Sequence, residues 1–536
     1  MRKRLSKTSV LGVTALSLVA LGLPASAGSA AATPASHQQP AQRVVTDIVP
    51  EPVQAKANPH ADFRLSPLTL ITTQPGSAAA KQVGDYLAGL LRPATGYPLP
   101  VVGLGKLPIP SISLELSGAD KRVGDEGYQL DVAKNGVNIR ANTADGLFEG
   151  VQSLRQLLPA AIDAKTVQHQ TWTVSGGSVL DYPRFGYRSA MLDVARHFFN
   201  PDQVKTYIDQ IAQYKINTLH LHLADDQGWR IEIKSWPKLT AIGGQGAVNG
   251  DPGGFYTQAQ YKDLVQYAAS RHITVVPEID MPGHTNAALA SYAELNCDGI
   301  APPMRTDIEV GYSSLCISKD ITYKFVEDII RELSAITPGK RINIGGDEAH
   351  STPQADYIAF YQRVMPIVAK YGKTVTGWNE IVKAIPPVSA IPQYWDTSDT
   401  NPDVVAAAAR GNKILFSPAN KAYLDMKYND SSPLGQDWAG LVEVKDAYDW
   451  DPATYLHGVS ENQVAGVEAP LWSETLRTND DLEYMAFPRL AGIAEIGWSP
   501  KSTHDWENYR TRLAKQGPRW TAQGIDFYRS PQVDWK

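Results

Sequence analysis

The chain has 536 residues, more than one ordinary core holds, so several domains or a large α/β barrel with an added domain are expected. Hydrophobic residues make up 43% and charged residues 20%, which excludes disordered and collagen-like classes. A net charge of −6 argues against a nucleic-acid partner, and the 12 Trp and 24 Tyr suit stacking on sugars as well as core filling.

The N-terminus reads as an export signal. Arg2, Lys3, Arg4 and Lys7 supply positive charge, 10–23 is apolar but short for a membrane span, and Ala25-Ser26-Ala27 fits small-residue cleavage. Residues 1–27 are therefore expected to be a signal peptide, and 28–45, rich in Ala, Pro, Ser and Gln, a flexible leader. No second long apolar run follows, so the mature chain is expected to be secreted, soluble and without a membrane partner. In such a chain Cys297 and Cys316 are expected to form a disulfide. Closing that loop is worth about 3 kcal/mol in the chain-entropy model, and it carries no chemistry.

Residues 46–180 mix both patterns and are expected to form an α+β supporting domain. A strand is expected at 68–72, a helix at 78–91, a strand pair at 128–132 and 137–141, and an amphipathic helix at 146–158. From about 185 the rhythm becomes strand, loop, helix. Strands are expected at 190–192, 218–223, 274–278, 342–344, 374–378, 392–394, 414–416 and 464–467. Helical patterns fall at 201–215, 257–271, 321–336, 354–371 and 402–410, the first opened by the cap Asn200-Pro201. This alternation predicts a (β/α)8 barrel over 181–536.

Such a barrel carries its active site at the C-terminal ends of its strands. Polar or aromatic residues follow every expected strand: Arg196-His197, Asp225-Asp226, Glu278 to His284, Asp347-Glu348, Trp378-Asn379-Glu380, Trp395-Asp396, Tyr423 with Asp425, and Trp472-Ser473-Glu474. The sharpest piece is Gly345-Gly346-Asp347-Glu348. Its glycines permit a bend and close approach, and its adjacent carboxylates face different ways. One can protonate a leaving-group oxygen while the other holds a different part of the substrate. Taken alone, the tetrapeptide is equally a turn with solvated acids.

Its surroundings weigh against the turn. The run 343–348 is similar to the H-x-G-G-D-E motif of family 20 glycoside hydrolases. The runs Arg196-His197-Phe198-Phe199, 219–230 and 277–284 resemble the same family, and Gly127-Tyr128-Gln129-Leu130 with 146–159 extends the likeness into the first domain. The likeness spans nearly all of 185–500 and points to exported bacterial members. One position departs: Asn343 stands where the family usually has His. Asn hydrogen-bonds but carries no charge near neutral pH, so an altered rate or pH optimum is expected.

The resemblance implies a retaining, exo-acting β-N-acetylhexosaminidase that needs neither cofactor nor metal. Its ligands would be amino-sugar oligosaccharides such as chitin fragments. The substrate's own 2-acetamido oxygen would attack the anomeric carbon to give an oxazolinium-like intermediate. It implies that Glu348 acts as general acid and then base, and that Asp347 holds the acetamido N–H. Tyr423 would donate to the acetamido oxygen, and Trp378, Trp395 and Trp472 would wall that group. Arg196 and Glu474 would bind ring hydroxyls, Asp425 and Trp438 the outer face of the sugar, while Asp225 and His284 would support the acid pair.

Three other readings remain at this point. His220 and His222 alternate onto one strand face like paired metal ligands, with His284 and His350 as the further candidates. A non-catalytic amino-sugar binder would keep the tryptophans and lose turnover. A glycosidase using Glu474 or Asp425 as nucleophile would cleave plain glucosides.

Overall fold

A computed structural model describes residues 44–535. The expected signal peptide, and the expected leader up to residue 43, lie outside the described residues. Val45, at the leader's expected end, is fully buried.

Eight parallel strands close into a barrel: Tyr187–Asp193, Thr218–His222, Thr274–Glu278, Arg341–Asn343, Thr374–Trp378, Ile391–Tyr394, Ile414–Phe416 and Val464–Leu471. Most of their residues are buried on both faces, because the inner face fills the barrel and the outer face is covered by helices. All eight expected strands are present. The first and last run longer than their patterns suggest, since they pair with each other to close the ring, Tyr187 opposite Gly466 through Leu192 opposite Leu471. The added residues include the polar Arg188 and Glu468, both fully buried.

The helices start and stop on local chemistry. Asn200 accepts from the backbone N–H groups of Asp202 and Gln203 ahead of Pro201–Ala212, with Pro at the first position. Thr257 caps Gln258–Ala269, and Asn401 caps Pro402–Arg410, which ends on Gly411 in the left-handed conformation. Among the described residues no helix is long and apolar enough to cross a membrane.

A smaller α+β domain precedes the barrel. Its seven-stranded sheet runs in the order Gln54–Ala57, Gly177–Asp181, Tyr128–Ala133, Gly136–Ala141, Ser111–Glu115, Leu70–Thr73, Val101–Val102. Helices Ala78–Thr95 and Ala144–Leu157 pack on it, and the apolar face of the second carries Leu147, Val151 and Leu154 at 0% exposure. Asp181, on the last strand of this sheet, is wholly buried and accepts from Trp498 Nε1 at 2.9 Å and Lys215 Nζ at 3.2 Å, both on the barrel. Cys297 and Cys316 are bonded, stapling the loop after the third barrel strand.

Candidate active site

The fourth barrel strand ends at Asn343 and the chain turns sharply through Gly345-Gly346. Gly345 has φ 61°, and a Cβ there would stand 1.8 Å from Asp280 Oδ1. Only glycine lets that carboxyl reach the turn, where it accepts from Gly346 N at 3.0 Å. The next two residues are Asp347 and Glu348. Glu348 has φ 45° and the facing His284 φ 53°. Side-chain-bearing residues in this region cost roughly 1–3 kcal/mol each and gather where function fixes the backbone.

An ionic chain supports the acid pair. Arg196 Nη2 lies 2.9 Å from Asp225 Oδ2, Asp225 Oδ1 lies 3.2 Å from His284 Nδ1, and His284 Nε2 lies 3.3 Å from Glu348 Oε2 and 3.6 Å from Asp347 Oδ2. Burial opposes the charge on Asp225, but Arg196 and His284 outweigh it and hold the carboxyl well below the usual range. Burial likewise opposes a charged His284, yet Asp225 and Asp347 keep the ring protonated well above neutral pH. Asp347 goes the other way: burial first, then the Asp280 carboxyl, raise it far above an ordinary aspartate. Asp280 is raised by burial as well, and the two carboxyls share a hydrogen bond, so one proton sits between them.

Beside the acids stands an aromatic wall. Trp378 and Trp472 lie 5.6 Å apart at 34°, and Tyr423 lies 6.2 Å from Trp472. Trp395 packs on this cluster, with its Nε1 donating to Glu380 at 3.2 Å. Trp438 is 52% exposed, 6.0 Å from Trp395 and 5.9 Å from Tyr423, which sets it at the mouth. The Arg196 guanidinium lies 4.7 Å from the Trp472 ring centre. Burial, reinforced by Glu474, holds Asp425 well above the usual carboxylate range, and burial raises Glu474 too. All twelve residues singled out for catalysis or substrate binding thus come to the C-terminal end of the barrel.

Several buried side-chain atoms here have no side-chain partner: both carboxyl oxygens of Asp425, Glu474 Oε2 and Arg196 Nε. Burying a polar atom without a partner costs about 1–3 kcal/mol, so a cluster of them in one cavity marks a site shaped for a polar ligand.

Two family models match the chain: glycosyl hydrolase family 20, catalytic domain, over residues 185–501, and glycosyl hydrolase family 20, domain 2, over 45–182. The chain belongs to glycosyl hydrolase family 20. Among curated relatives, a β-N-acetylhexosaminidase of Cellulomonas fimi is 40% identical, the match covering 91% of this chain and 97% of that one. Among solved structures, the family 20 β-N-acetylhexosaminidase of Streptomyces coelicolor A3(2) is 56% identical with a TM-score of 0.89, covering 92% of this chain and 99% of that chain. A mutant β-hexosaminidase of Streptomyces plicatus in complex with the product GlcNAc is 57% identical with a TM-score of 0.89, over 92% and 98%. The chain is therefore a glycoside hydrolase of the β-N-acetylhexosaminidase family.

The departure from the usual family 20 motif is buried. Asn343 Oδ1 accepts from Gly345 N at 2.8 Å, bracing the turn, and Nδ2 lies 3.3 Å from His220 Nε2. His220 is itself held between Glu278 at 2.9 Å and Glu468 at 2.9 Å, and His222 between Glu278 at 2.5 Å and Asp225 at 2.9 Å. These carboxylates overcome burial and push the rings up to about 9 and about 10. A protonated imidazole has no lone pair for a metal, so His220 and His222 do not suit the ligand role their spacing suggests. His284, whose neighbours Asp347 and Glu348 come within metal-binding distance, is a cation for the same reason.

Reading the sequence left Asp280 and Glu278 without roles, although both stand in the quoted run 277–284. Glu278 accepts from Trp378 Nε1 at 2.9 Å and so fixes the floor of the aromatic wall. Asp226 caps instead: Oδ1 accepts from Asn286 N at 2.8 Å, at the start of helix Asn286–Ser291, and from Ser313 Oγ at 2.6 Å.

Proposed function

We propose that this chain is a retaining, exo-acting β-N-acetylhexosaminidase that removes terminal N-acetylglucosamine or N-acetylgalactosamine by substrate-assisted catalysis. The observation that carries the reading is the group of buried atoms without a side-chain partner beside the tryptophan wall. Asp425, Glu474 and Arg196 offer acceptors and donors for ring hydroxyls. The apolar wall of Trp378, Trp395 and Trp472 suits a methyl-bearing acetamido group held against Asp347 and Tyr423.

In the first step the acetamido carbonyl oxygen attacks C1 while the bond from C1 to the aglycone oxygen breaks. Glu348 gives its proton to that oxygen. Asp347 Oδ1 takes a hydrogen bond from the acetamido N–H and balances the positive charge that develops on the oxazolinium. By donating to Asp347, the acetamido N–H draws the shared proton onto Asp280 and leaves Asp347 its charge. Tyr423 donates to the acetamido oxygen and orients it. In the second step Glu348, now ionised, takes a proton from water as the water adds to C1 and the oxazolinium ring opens. Two inversions give net retention. His284, a cation 3.3 Å from Glu348, steadies the ionised form between the steps.

Export belongs to the same proposal, supported by the basic and apolar leader and by the Cys297–Cys316 bond, which persists in oxidising compartments. The natural ligands would be amino-sugar oligosaccharides, chitin fragments among them.

The test is a pair of aryl β-glycosides that differ only in the 2-acetamido group. The acetamido substrate is turned over and the plain glucoside is not. Glu348→Gln loses roughly 10² to 10⁴ in rate on a poor leaving group, the scale of general acid catalysis. Equal cleavage of both glycosides would sink the substrate-assisted reading.

A further inference from the structure

A cavity of about 810 Å³ lies away from the acid pair, between helix Ala78–Thr95 of the small domain and helix Gln258–Ala269 of the barrel. One wall is built on the buried Phe148, with the part-exposed rings of Tyr86 and His272 4.8 and 4.7 Å from it. Gln82 and Gln266 stand exposed at its edges.

Its charges are already spent. Arg271 Nε lies 2.8 Å from Asp209, His272 Nδ1 lies 2.5 Å from Asp145, and Asp85 lies 2.7 Å from Lys81. The charged groups at the cavity thus have close partners, and between them it presents amides, hydroxyls and aromatic surface. Behind this wall Gln152 Nε2 donates to the Tyr86 hydroxyl at 3.2 Å and holds the ring in place. A second cavity of about 370 Å³ shares Tyr86, Leu90 and Arg271 with the first, so the two run together as a groove.

We propose that this interdomain groove is a second carbohydrate site, which holds a neutral oligosaccharide away from the catalytic end of the barrel. Neutral, hydroxyl-rich chains match a first cavity whose charges already have close partners, and amides beside the part-exposed Tyr86 suit the hydroxyls and ring of a sugar. The two cavities, about 810 and about 370 Å³, give room for more than one linked unit. That the chain bound is an amino-sugar oligomer rests on the proposed function above. Its role would be to keep a polymeric substrate at the enzyme surface between cleavages, which raises local concentration without touching the chemistry.

Gly89 offers a clean probe. It lines the groove, and a Cβ there would meet nothing within 4 Å. Gly89→Trp fills the groove from an exposed helical position, and Gly89→Ala is its control. Calorimetric titration uses the β-1,4-linked tetramer of N-acetylglucosamine on the full chain carrying Glu348→Gln to arrest turnover. Two classes of site are expected, of which Gly89→Trp removes one and Gly89→Ala neither. With Glu348 intact, Gly89→Trp is expected to leave kcat/KM on a small aryl glycoside within about twofold, while its rate on colloidal polymer falls threefold or more. A single class of site that survives in Gly89→Trp, two classes surviving there, or an unchanged polymer rate overturns the proposal, as does a preference of the groove for a sulfated oligosaccharide. If Gly89→Trp removed all tetramer binding, the groove would stand and the active-site reading would fall instead.

Discussion

Two carboxyl groups in hydrogen-bonding contact inside a buried site do not both ionise at neutral pH. Asp280 and Asp347 are such a pair: burial raises both, Asp280 raises Asp347 further, and Gly346 N donates to Asp280 Oδ1. A carboxyl raised in this way keeps its proton through neutral pH and loses it as the pH rises. The second ionisation would place two charges beside the acetamido group and break the bond that orients Asp347. Activity should therefore fall on the alkaline side as the shared proton leaves. Asp280→Asn keeps a donor toward Asp347 and has no proton to lose. Its kcat/KM near pH 6 should stay within about tenfold of the parent, and its alkaline limb should move up by about one pH unit or more. An alkaline limb that stays where it was would mean that the controlling proton lies elsewhere. The acid pair itself was legible because its residues are adjacent in the chain and follow a strand. Asp280 was not, because its role arises only where its carboxyl meets a turn 66 residues further on. Asp425 and Trp438 were placed by resemblance alone, since no local pattern marks the loop that carries them.

Barrel closure depends on how near the first and last strands approach. A Cβ on Gly466 would stand 1.6 Å from the carbonyl oxygen of Tyr187, its partner across the seam. That contact is with backbone, which cannot rotate away, so Gly466→Ala has to separate the two strands. It should lose about 2 kcal/mol or more of stability in urea unfolding, while Gly186→Ala, where a Cβ would meet nothing within 4 Å, should change by less than about 0.5 kcal/mol. Equal stability of the two variants would show that the seam relaxes freely. The same seam explains which elements the sequence made plain. Central strands such as Thr274–Glu278 and Thr374–Trp378 carry short apolar runs between helices and appear where the pattern sets them. The seam strands carry Arg188, Ser189 and Glu468, whose burial depends on partners such as Lys215 and His220 that lie far along the chain. In the small domain the hairpin 128–141 was legible from its turn. The flanking strands Gln54–Ala57 and Gly177–Asp181 pair across more than 100 residues, and nothing local announces that pairing.

The small domain and the barrel are joined through charge as well as apolar contact. Lys215 and Asp181 have side chains with 0% exposure and lie 3.2 Å apart, and the ammonium stands 4.8 Å from the Trp498 ring centre. Asp181 also accepts from Tyr128 at 2.7 Å and from Val53 N at 3.1 Å, so one carboxylate ties two strands of the sheet to the barrel. Arg188 adds a second link by pairing with Glu126 of the small domain. Removing one partner of a buried pair leaves the other charge without compensation, at a cost of about 3–5 kcal/mol, whereas replacing both is far milder. Asp181→Ala should accordingly lower the melting temperature sharply and split the calorimetric transition, the small domain melting before the barrel. Asp181→Ala combined with Lys215→Met should recover most of the loss, because the buried ammonium is gone and its stem is replaced in kind. Turnover of a small aryl substrate below the first transition should change little, since the acid pair is held by barrel strands alone. A single undivided transition in Asp181→Ala, with the double variant no more stable, would show that the two domains are held together by their apolar contact and that the ion pair adds nothing.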